Sequence, residues 1–369
     1  MKILLLEYIT AGGFCAQPLP PSLLCEGTLM RDALLADFSE IADVEIFTTY
    51  DTRVSLPKHT IVAMPVDGTS NVMALWQKLL HDCDAVLLIA PESDGILSQL
   101  TQLIESVAVK NLGSKLAAVK LFTDKYSTYQ ALKEANILTI PTYTASEFLH
   151  TEFFELDPLL TCLFNKGYVA KPTDGAGCGD TYFFENASVL RVWLNAPAQI
   201  SQRDAYIVQP YIAGTPASIS MLCKDGKAWL LSCNEQLIEI GLKISQEVGH
   251  EFGHELVQKP SILQAPIQYK GSLVNGLMLE HAAFKQLAET IATTFSDLNG
   301  YVGVDVIMNE DIIYVVEVNP RITSSYIALH ESLNVNPAKL ILGLADDENS
   351  TFKLPENMAA NKVLLNLNE

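Results

Sequence analysis

Short, continuous apolar runs alternate with segments of helical periodicity in the first third of this 369-residue chain. The runs at 3–6 and 85–90 are typical of strands that are buried on both faces of a parallel sheet. Helix-length segments near 26–41 and 96–107 carry apolar residues three and four apart. Because parallel strands need such crossover helices, the pattern predicts a parallel α/β unit over residues 1–112.

The pattern changes after residue 112 to short strands and tight turns. The runs at 301–308 and 312–318 flank a three-residue turn and predict a hairpin. Residues 240–270 show no steady period, so we expect a long connection there. A helix predicted to end near residue 344 is followed by a polar tail over 346–369.

Composition excludes several classes of partner. The chain has 24 Lys and Arg against 43 Asp and Glu, a net charge of −19, whereas proteins that coat nucleic acid or anionic membranes need an excess of cations. No apolar run approaches the roughly 18 to 20 residues of a membrane helix. Seven cysteines without a CxxC pair are typical of reduced thiols. We expect a cytoplasmic protein with neither nucleic-acid nor membrane partner, and leave a homodimer open.

A glycine-rich loop follows a lysine at the end of a predicted strand. Lys171 precedes Gly175, Gly177 and Gly179, which recur at every second position. Backbone N–H groups of glycine can approach phosphate oxygens closely, and a lysine adds a point charge. The loop lacks the Gly-Lys-Ser/Thr ending of a Walker A motif. A phosphate-binding loop and a mobile surface hairpin are both consistent with this pattern.

Acids and an amide lie on the predicted hairpin. Glu317 and Asn319 share one face of their strand, and Asp305 can lie opposite them. Two carboxylates and an amide oxygen suit Mg²⁺ or Mn²⁺. Arg321, just beyond the strand, can hold a phosphate or carboxylate with two N–H groups. An acidic hairpin facing solvent is the alternative, which the apolar flanks of both strands disfavour.

The order and spacing of five segments resemble the ATP-grasp superfamily. The resemblance covers about residues 112–345 and implies an ATP-grasp domain over 113–345 with a mobile lid at about 160–212. It also implies a Rossmann-like domain over 1–112 before it, with residues 346–369 as a tail. The segments that carry it are Asp124-Lys125, Val169–Pro172 with the glycine loop, Val208–Gly214, Asp305 and Glu317–Arg321.

The resemblance implies an ATP site with two divalent ions, Mg²⁺ or Mn²⁺. The implied phosphate contacts and lid residues are Lys125, Lys171, Gly175, Gly177 and Gly179. The implied adenine-reading segment includes Gln209, Tyr211 and Ile212. The implied metal ligands are Asp305, Glu317 and Asn319, and the implied catalytic residues are Arg321 and Lys171.

Three shorter stretches are most similar to the tyramine–glutamate ligases of methanofuran biosynthesis. They are Leu4–Tyr8 with Gly12-Gly13, Asn234–Gln236 and Asn319–Tyr326. The similarity implies an ATP-dependent ligase that joins a small-molecule amine, tyramine or a tyrosine-like relative, to the γ-carboxylate of glutamate through an acylphosphate.

Candidate substrate contacts follow Arg321 and the first strand. The hydroxyls of Thr323, Ser324 and Ser325 suit a substrate carboxylate, and Tyr326 offers an aromatic face. Capping of the following helix is the alternative for the hydroxyls. Glu7 can meet an ammonium group, or it is a buried acid with a structural partner.

A rival pattern is the HExxH match at His250–His254. On a helix it would place two imidazoles on one face for Zn²⁺, with Glu251 as the base of a zinc-dependent peptidase. Gly249 and Gly253 each weaken such a helix by about 1 kcal/mol relative to alanine. A non-catalytic nucleotide-binding protein with the same fold is a further alternative, which the intact set of lysines and acids disfavours.

Overall fold

Two β-sheets organise the chain. The computed structural model describes residues 1–59, 62–150, 166–175, 178–241, 264–346 and 352–367. A five-stranded parallel sheet lies in the N-terminal part, and a ten-stranded antiparallel sheet follows it. The expected α/β fold class is therefore confirmed.

The N-terminal sheet has the strand order β3-β2-β1-β4-β5, and all its neighbours run parallel. Its strands are β1 (Lys2–Glu7), β2 (Glu45–Asp51), β3 (Val62–Val66), β4 (Ala85–Ile89) and β5 (Lys110–Asn111). Its helices are α1 (Pro21–Ser39), α2 (Val72–Asp82) and α3 (Ile96–Glu105). The carboxyl ends of parallel strands meet at one edge, where ligands of such sheets bind.

Helices cover both faces of this sheet, which is why β1 and β4 read as unbroken apolar runs. Leu34 and Phe38 of α1 pack on one face, in the same core as helices from the C-terminal part. Trp76 of α2 and Leu100 of α3 pack on the other face. Helix α1 is thus buried between the first sheet and the rest of the molecule.

The second sheet has the order β14-β13-β10-β11-β12-β8-β7-β9-β6, and β15 pairs with β12. Its strands are β6 (Tyr143–Thr144), β7 (Tyr168–Pro172), β8 (Tyr182–Phe184), β9 (Tyr206–Pro210), β10 (Thr215–Lys224), β11 (Lys227–Ile240), β12 (Gln264–Val274), β13 (Gly300–Asn309), β14 (Ile312–Asn319) and β15 (Val363–Asn366). Strand β12 pairs with β8 at its start and with β11 further on, so it joins the small β6–β9 section to the main section.

Among the described residues, eight further helices pack on this sheet or connect its strands. They are α4 (Leu116–Phe122), α5 (Lys125–Glu134), α6 (Ala145–His150), α7 (Ala187–Leu194), α8 (Pro197–Ile200), α9 (His281–Thr294), α10 (Leu329–Leu333) and α11 (Pro337–Ala345). Short 3₁₀ turns occur at Ser93–Gly95, Arg203–Ala205, Met278–Glu280 and Ser324–Ala328. Among the described residues no helix combines the length and apolar character needed to cross a bilayer.

Two expectations were wrong in the C-terminal part. Strand β12 occupies part of the expected connection over 240–270, and β15 lies within the expected polar tail. Neither strand shows a regular alternation of apolar and polar residues. Their pairing brings the two backbones close together. A Cβ added to Gly271, whose φ is +135°, would stand 2.0 Å from the Leu365 carbonyl oxygen. Glycine there permits an approach that periodicity does not reveal.

Candidate active site

A cleft of about 370 Å³ opens beside the second sheet. Residues from β7, β9, β10, β13 and β14 line it, together with the segment that follows β14. Glu26 of α1 reaches it from the N-terminal part.

Sheet register brings the predicted acids together. Asp305 on β13 pairs with Glu317 on β14, and the register of the two strands shifts between Asp305 and Val306. The Asn319 side chain donates to Asp305 Oδ2 at 3.2 Å, and Gln236 of β11 donates to Oδ1 at 2.9 Å. The carboxyl groups of Asp305 and Glu317 lie beside each other.

Two lysines reach the same carboxylate oxygen. Lys125, the first residue of α5, and Lys171 of β7 each place Nζ 3.9 Å from Glu317 Oε2. Lys125 Nζ also donates to the Gly175 carbonyl at 2.9 Å. The Asp124 side chain caps α5 by accepting from the Ser127 N–H at 2.6 Å, which fixes the start of the helix. Five groups from distant segments thus converge.

Charge is divided unequally between the paired acids. Burial raises the pKa of Asp305 well above its usual range, and the negative Glu317 raises it further. Burial also disfavours ionisation of Glu317, but Lys125 and Lys171 outweigh this and lower its pKa. Burial lowers the pKa of Lys171, an effect that Glu317 opposes. Ionisation is therefore favoured at Glu317, beside the lysines, over Asp305.

This donor set fits divalent ions. Two adjacent buried carboxylates repel each other unless a cation lies between them, and the Asn319 amide oxygen adds a third hard donor. Two lysine charges match the two acids when both are ionised. The charge of a bound triphosphate would then need metal cations as well.

Arg321 binds a carboxylate of the protein, whereas a phosphate or substrate carboxylate was the expected partner. Its Nε and Nη2 donate to the two carboxylate oxygens of Glu92 at 2.6 and 2.8 Å, and Nη1 donates to the Ile322 carbonyl. The edge of the guanidinium that was expected to hold a phosphate or substrate carboxylate therefore holds the Glu92 carboxylate instead. One N–H on each of Nη1 and Nη2 has no acceptor among the described residues. Burial would lower the pKa of Arg321, but Glu92 raises it, so the guanidinium stays charged.

The glycine loop follows β7 at the edge of the cleft. Gly175 and Gly179 line the cleft, whereas Gly177 lies outside the described residues. Cys178 also lines it, and burial together with Glu317 raises the pKa of this thiol to about 12. The thiol is therefore protonated at neutral pH.

The segment expected to read adenine offers a backbone N–H that has no acceptor among the described residues. The Gln209 side chain donates to Thr142 Oγ1 at 2.8 Å, so it supports the loop before β6. The Tyr211 N–H donates to the Gly167 carbonyl at 2.8 Å. No described residue accepts from the Ile212 N–H, and Ile212 lines the cleft.

The expected substrate residues divide into two groups. Thr323, Ser324 and Ser325 line the cleft, and the Thr323 side chain makes no capping bond to the turn that follows. Tyr326 is not brought to the cleft, because its ring is buried and its hydroxyl donates to Asp37 at 2.8 Å. Its expected contact with substrate is therefore dropped.

Glu7 is buried behind the cleft rather than in it. Its carboxylate accepts from the Ile9 and Thr10 N–H groups and from the Thr10 hydroxyl, at 2.7 to 3.3 Å. A Cβ on Gly27 would stand 2.7 Å from this carboxyl group, so α1 closes over it. These contacts agree with the structural alternative for Glu7.

Several residues at the site were missed by sequence reasoning. Glu26, Glu92, Gln236 and Tyr269 contact or line the site, yet none of them was a candidate. One signal was present for Glu26. It lies four residues before the buried Met30, so it is an acid on the buried stripe of α1. The His250–His254 motif lies outside the described residues.

Comparison with known families and proteins agrees with this geometry. An ATP-grasp domain family matches residues 122–325, and a pre-ATP-grasp domain family matches residues 44–119. A tyramine–L-glutamate ligase of Methanocaldococcus jannaschii is 31% identical over 356 residues, or 95% of this chain and 92% of that protein. Its counterpart in Methanocaldococcus fervens is 28% identical over 95% of this chain and 97% of that protein.

Solved structures share the fold at lower identity. An ATP-grasp superfamily protein from Archaeoglobus fulgidus is 20% identical with a TM-score of 0.64, over 99% of this chain and all of that chain. The biotin carboxylase domain of a Hydrogenobacter thermophilus 2-oxoglutarate carboxylase is 14% identical with a TM-score of 0.66, over 98% of this chain and 72% of that one. An L-amino acid ligase from Bacillus licheniformis is 13% identical with a TM-score of 0.58, over 94% and 74%.

Proposed function

The chain belongs to the ATP-grasp family. We propose that it joins the γ-carboxylate of glutamate to tyramine or a tyrosine-like amine, in the biosynthesis of a methanofuran-type cofactor. It is an ATP-dependent ligase that forms C–N bonds. The observation that carries the substrate proposal is the match of both tyramine–L-glutamate ligases along 95% of the chain. The converging lysines and acids support the ATP chemistry.

Amide formation needs an activated carboxyl group. A free carboxylate resists attack by an amine because it is anionic and has no good leaving group. We propose that a γ-carboxylate oxygen of glutamate attacks the γ-phosphorus of ATP, which releases ADP and leaves an acylphosphate. The amine nitrogen then attacks the acyl carbon, and inorganic phosphate leaves.

The lysine end of the cleft would hold the phosphates. Lys125 and Lys171 would contact the phosphate oxygens, and the Ile212 N–H would donate a hydrogen bond to an adenine ring nitrogen. Asp305, Glu317 and Asn319 would hold two ions, Mg²⁺ or Mn²⁺. When bound, these ions supply positive charge to the phosphoryl group in transfer.

The arginine end would hold the acyl group. The two unused N–H groups of Arg321 would donate to the phosphoryl and acyl oxygens as charge develops on them. Glu92 fixes the orientation of the guanidinium, and Ser325 would contact the substrate carboxylate. The loop that includes Gly175 and Gly179 would exclude water, because water hydrolyses an acylphosphate.

A coupled assay tests the proposal. The purified protein is incubated with ATP, Mg²⁺, glutamate and a panel of amines that includes tyramine and tyrosine. We expect ADP and phosphate to appear when the acid and the amine are both present, with a product whose mass is that of the amide. ATP turnover that does not depend on the amine, or peptide hydrolysis with stoichiometric zinc, would contradict it.

A further inference from the structure

A carboxylate from the N-terminal part stands at the arginine end of the cleft. Glu26 and Arg321 line the main cleft, and both also line a slot of about 50 Å³ behind it. The slot is otherwise walled mostly by apolar side chains of α1 and the loops after β1 and β4, namely Ile9, Leu23, Met30, Ala90 and Pro91. Glu26 therefore lies where the polar cleft meets an apolar slot.

The charges around Glu26 leave an excess of negative charge. Arg321 is held by Glu92 through two hydrogen bonds, and the Glu26 carboxylate, hydrogen-bonded with Ser324, faces the same guanidinium. Tyr269 of β12 also faces Glu26, and its burial keeps the hydroxyl neutral by raising its pKa. Glu7, in the slot, is already satisfied by the Thr10 and Ile9 donors. One guanidinium thus faces two carboxylates.

A negative excess beside an acyl-transfer site suits a cationic substrate. A primary alkyl amine is protonated at neutral pH, since ammonium groups of this kind have a pKa of about 10. Its nitrogen has no lone pair for attack until a proton is removed. The site therefore needs both a counter-ion for the ammonium and an acceptor for its proton.

We propose that Glu26 binds the ammonium group of the amine substrate and removes a proton from its nitrogen before attack. This inference rests on the proposed function. One proton moves from nitrogen to the Glu26 carboxylate, and the freed electron pair forms the C–N bond. The C–O bond to phosphate breaks, and the second proton released by nitrogen leaves on the phosphate.

The surroundings of Glu26 suit a base. Burial raises the pKa of this carboxyl group, and Arg321 and Ser324 oppose that rise. A carboxylate with a raised pKa accepts a proton more readily than a solvated one. Glu26 and Ser324 line the same cleft, so Glu26 lies next to the segment where the acyl group would lie.

Two nucleophiles separate this role from the activation of glutamate. Hydroxylamine is mostly unprotonated at neutral pH and traps an acylphosphate as the hydroxamate without needing a base. In Glu26→Gln we expect amide formation with tyramine to fall about 100-fold, while hydroxamate formation stays within about threefold of the native rate. The residual amide rate should rise about tenfold per pH unit between about pH 7 and 9, as neutral amine becomes available.

Matched variants complete the test. Glu45→Gln removes the same charge from an exposed position at the opposite end of the parallel sheet and should leave both rates unchanged. Glu26→Asp keeps a carboxylate and should recover part of the amide rate. Native-like amide formation by Glu26→Gln, or an equal fall of both rates with a native pH profile, would overturn the role of Glu26. Failure of the native enzyme to form either product would instead overturn the proposed function and this inference with it.

Discussion

The two ends of the cleft are built in different ways. At the lysine end, Lys125, Lys171, Asp305 and Glu317 all come from the part of the chain after residue 112, and sheet register pairs the two acids. At the arginine end, Arg321 follows β14, but Glu92 and Glu26 come from the N-terminal part. One end is internal to a single sheet and its helices, and the other depends on how two parts of the molecule pack together.

The charge at the two ends differs as well. Two cations face two acids at the lysine end, whereas one cation faces two acids at the arginine end. The first arrangement would accept an anion only together with metal cations, and the second would accept a cation directly. Variants at the lysine end should therefore stop ADP formation, and variants of Glu26 and Glu92 at the arginine end should act mainly on amide formation.

The largest expected effect is that of Lys171→Ala. The lysine is buried and has no replacement for its charge on the phosphates, so we expect ADP formation to fall by about 10³-fold. Lys166→Ala removes an exposed lysine just before β7 and serves as the control. Near-native ADP formation in a folded Lys171→Ala protein would contradict the assignment of the lysine end.

Glu317→Gln should have the next largest effect. The substitution keeps the shape of the side chain but removes the charge that both lysines face, so we expect turnover to fall about 100-fold and the half-saturating Mg²⁺ concentration to rise about tenfold. Titration of ADP release with Mg²⁺, after removal of metal with a chelator, measures both. Glu310→Gln, on the exposed turn of the same hairpin, is the control. An unchanged Mg²⁺ requirement would exclude Glu317 as a ligand.

The lysine end was largely predictable because its parts are encoded locally. The β13–β14 hairpin is continuous in sequence, and the alternation of its strands places Asp305, Glu317 and Asn319 on one face. Lys171 and Gly175 likewise follow from one strand and its loop. The apolar runs of β1 and β4 predicted the parallel sheet for the same reason, since burial on both faces is visible in each run.

The arginine end was not predictable in the same way. Glu92 lies 229 residues before Arg321, and no local pattern pairs them. Their contact arises because α1 and the helices after β14 share one core, to which Leu34, Leu329 and Leu333 all belong. The sequence identified Arg321 as a candidate but not Glu92 as its partner. It therefore could not show which N–H groups of Arg321 remain without an acceptor. Strands β12 and β15 were missed because backbone approach at Gly271, rather than periodicity, permits their pairing.

Glu92→Gln should give a smaller effect that reports on this packing. It replaces a charged two-bond contact between buried side chains by a neutral one, so we expect about a tenfold loss of amide formation and about 2 kcal/mol less free energy of unfolding. Urea unfolding and the two-nucleophile assay measure the two changes. Asp82→Asn removes an exposed acid at the end of α2 and should change neither stability nor amide formation. Unaltered stability and activity would show that the pair does not hold Arg321 in place.

The smallest expected effect concerns Cys178, which probes the lysine end without a substitution. Lysines beside a thiol usually promote its ionisation, but burial and Glu317 outweigh Lys171 and Lys125 here, and the pKa of Cys178 is about 12. Iodoacetamide should therefore label Cys178 at least about tenfold more slowly than the exposed Cys25, as followed by mass spectrometry of peptides. ATP with Mg²⁺ should slow Cys178 a further few-fold and leave Cys25 unchanged, because the phosphates would cover this wall of the cleft. Labelling of Cys178 as fast as Cys25, with or without nucleotide, would mean that the lysines dominate the local potential and that the charge balance described for this end is wrong.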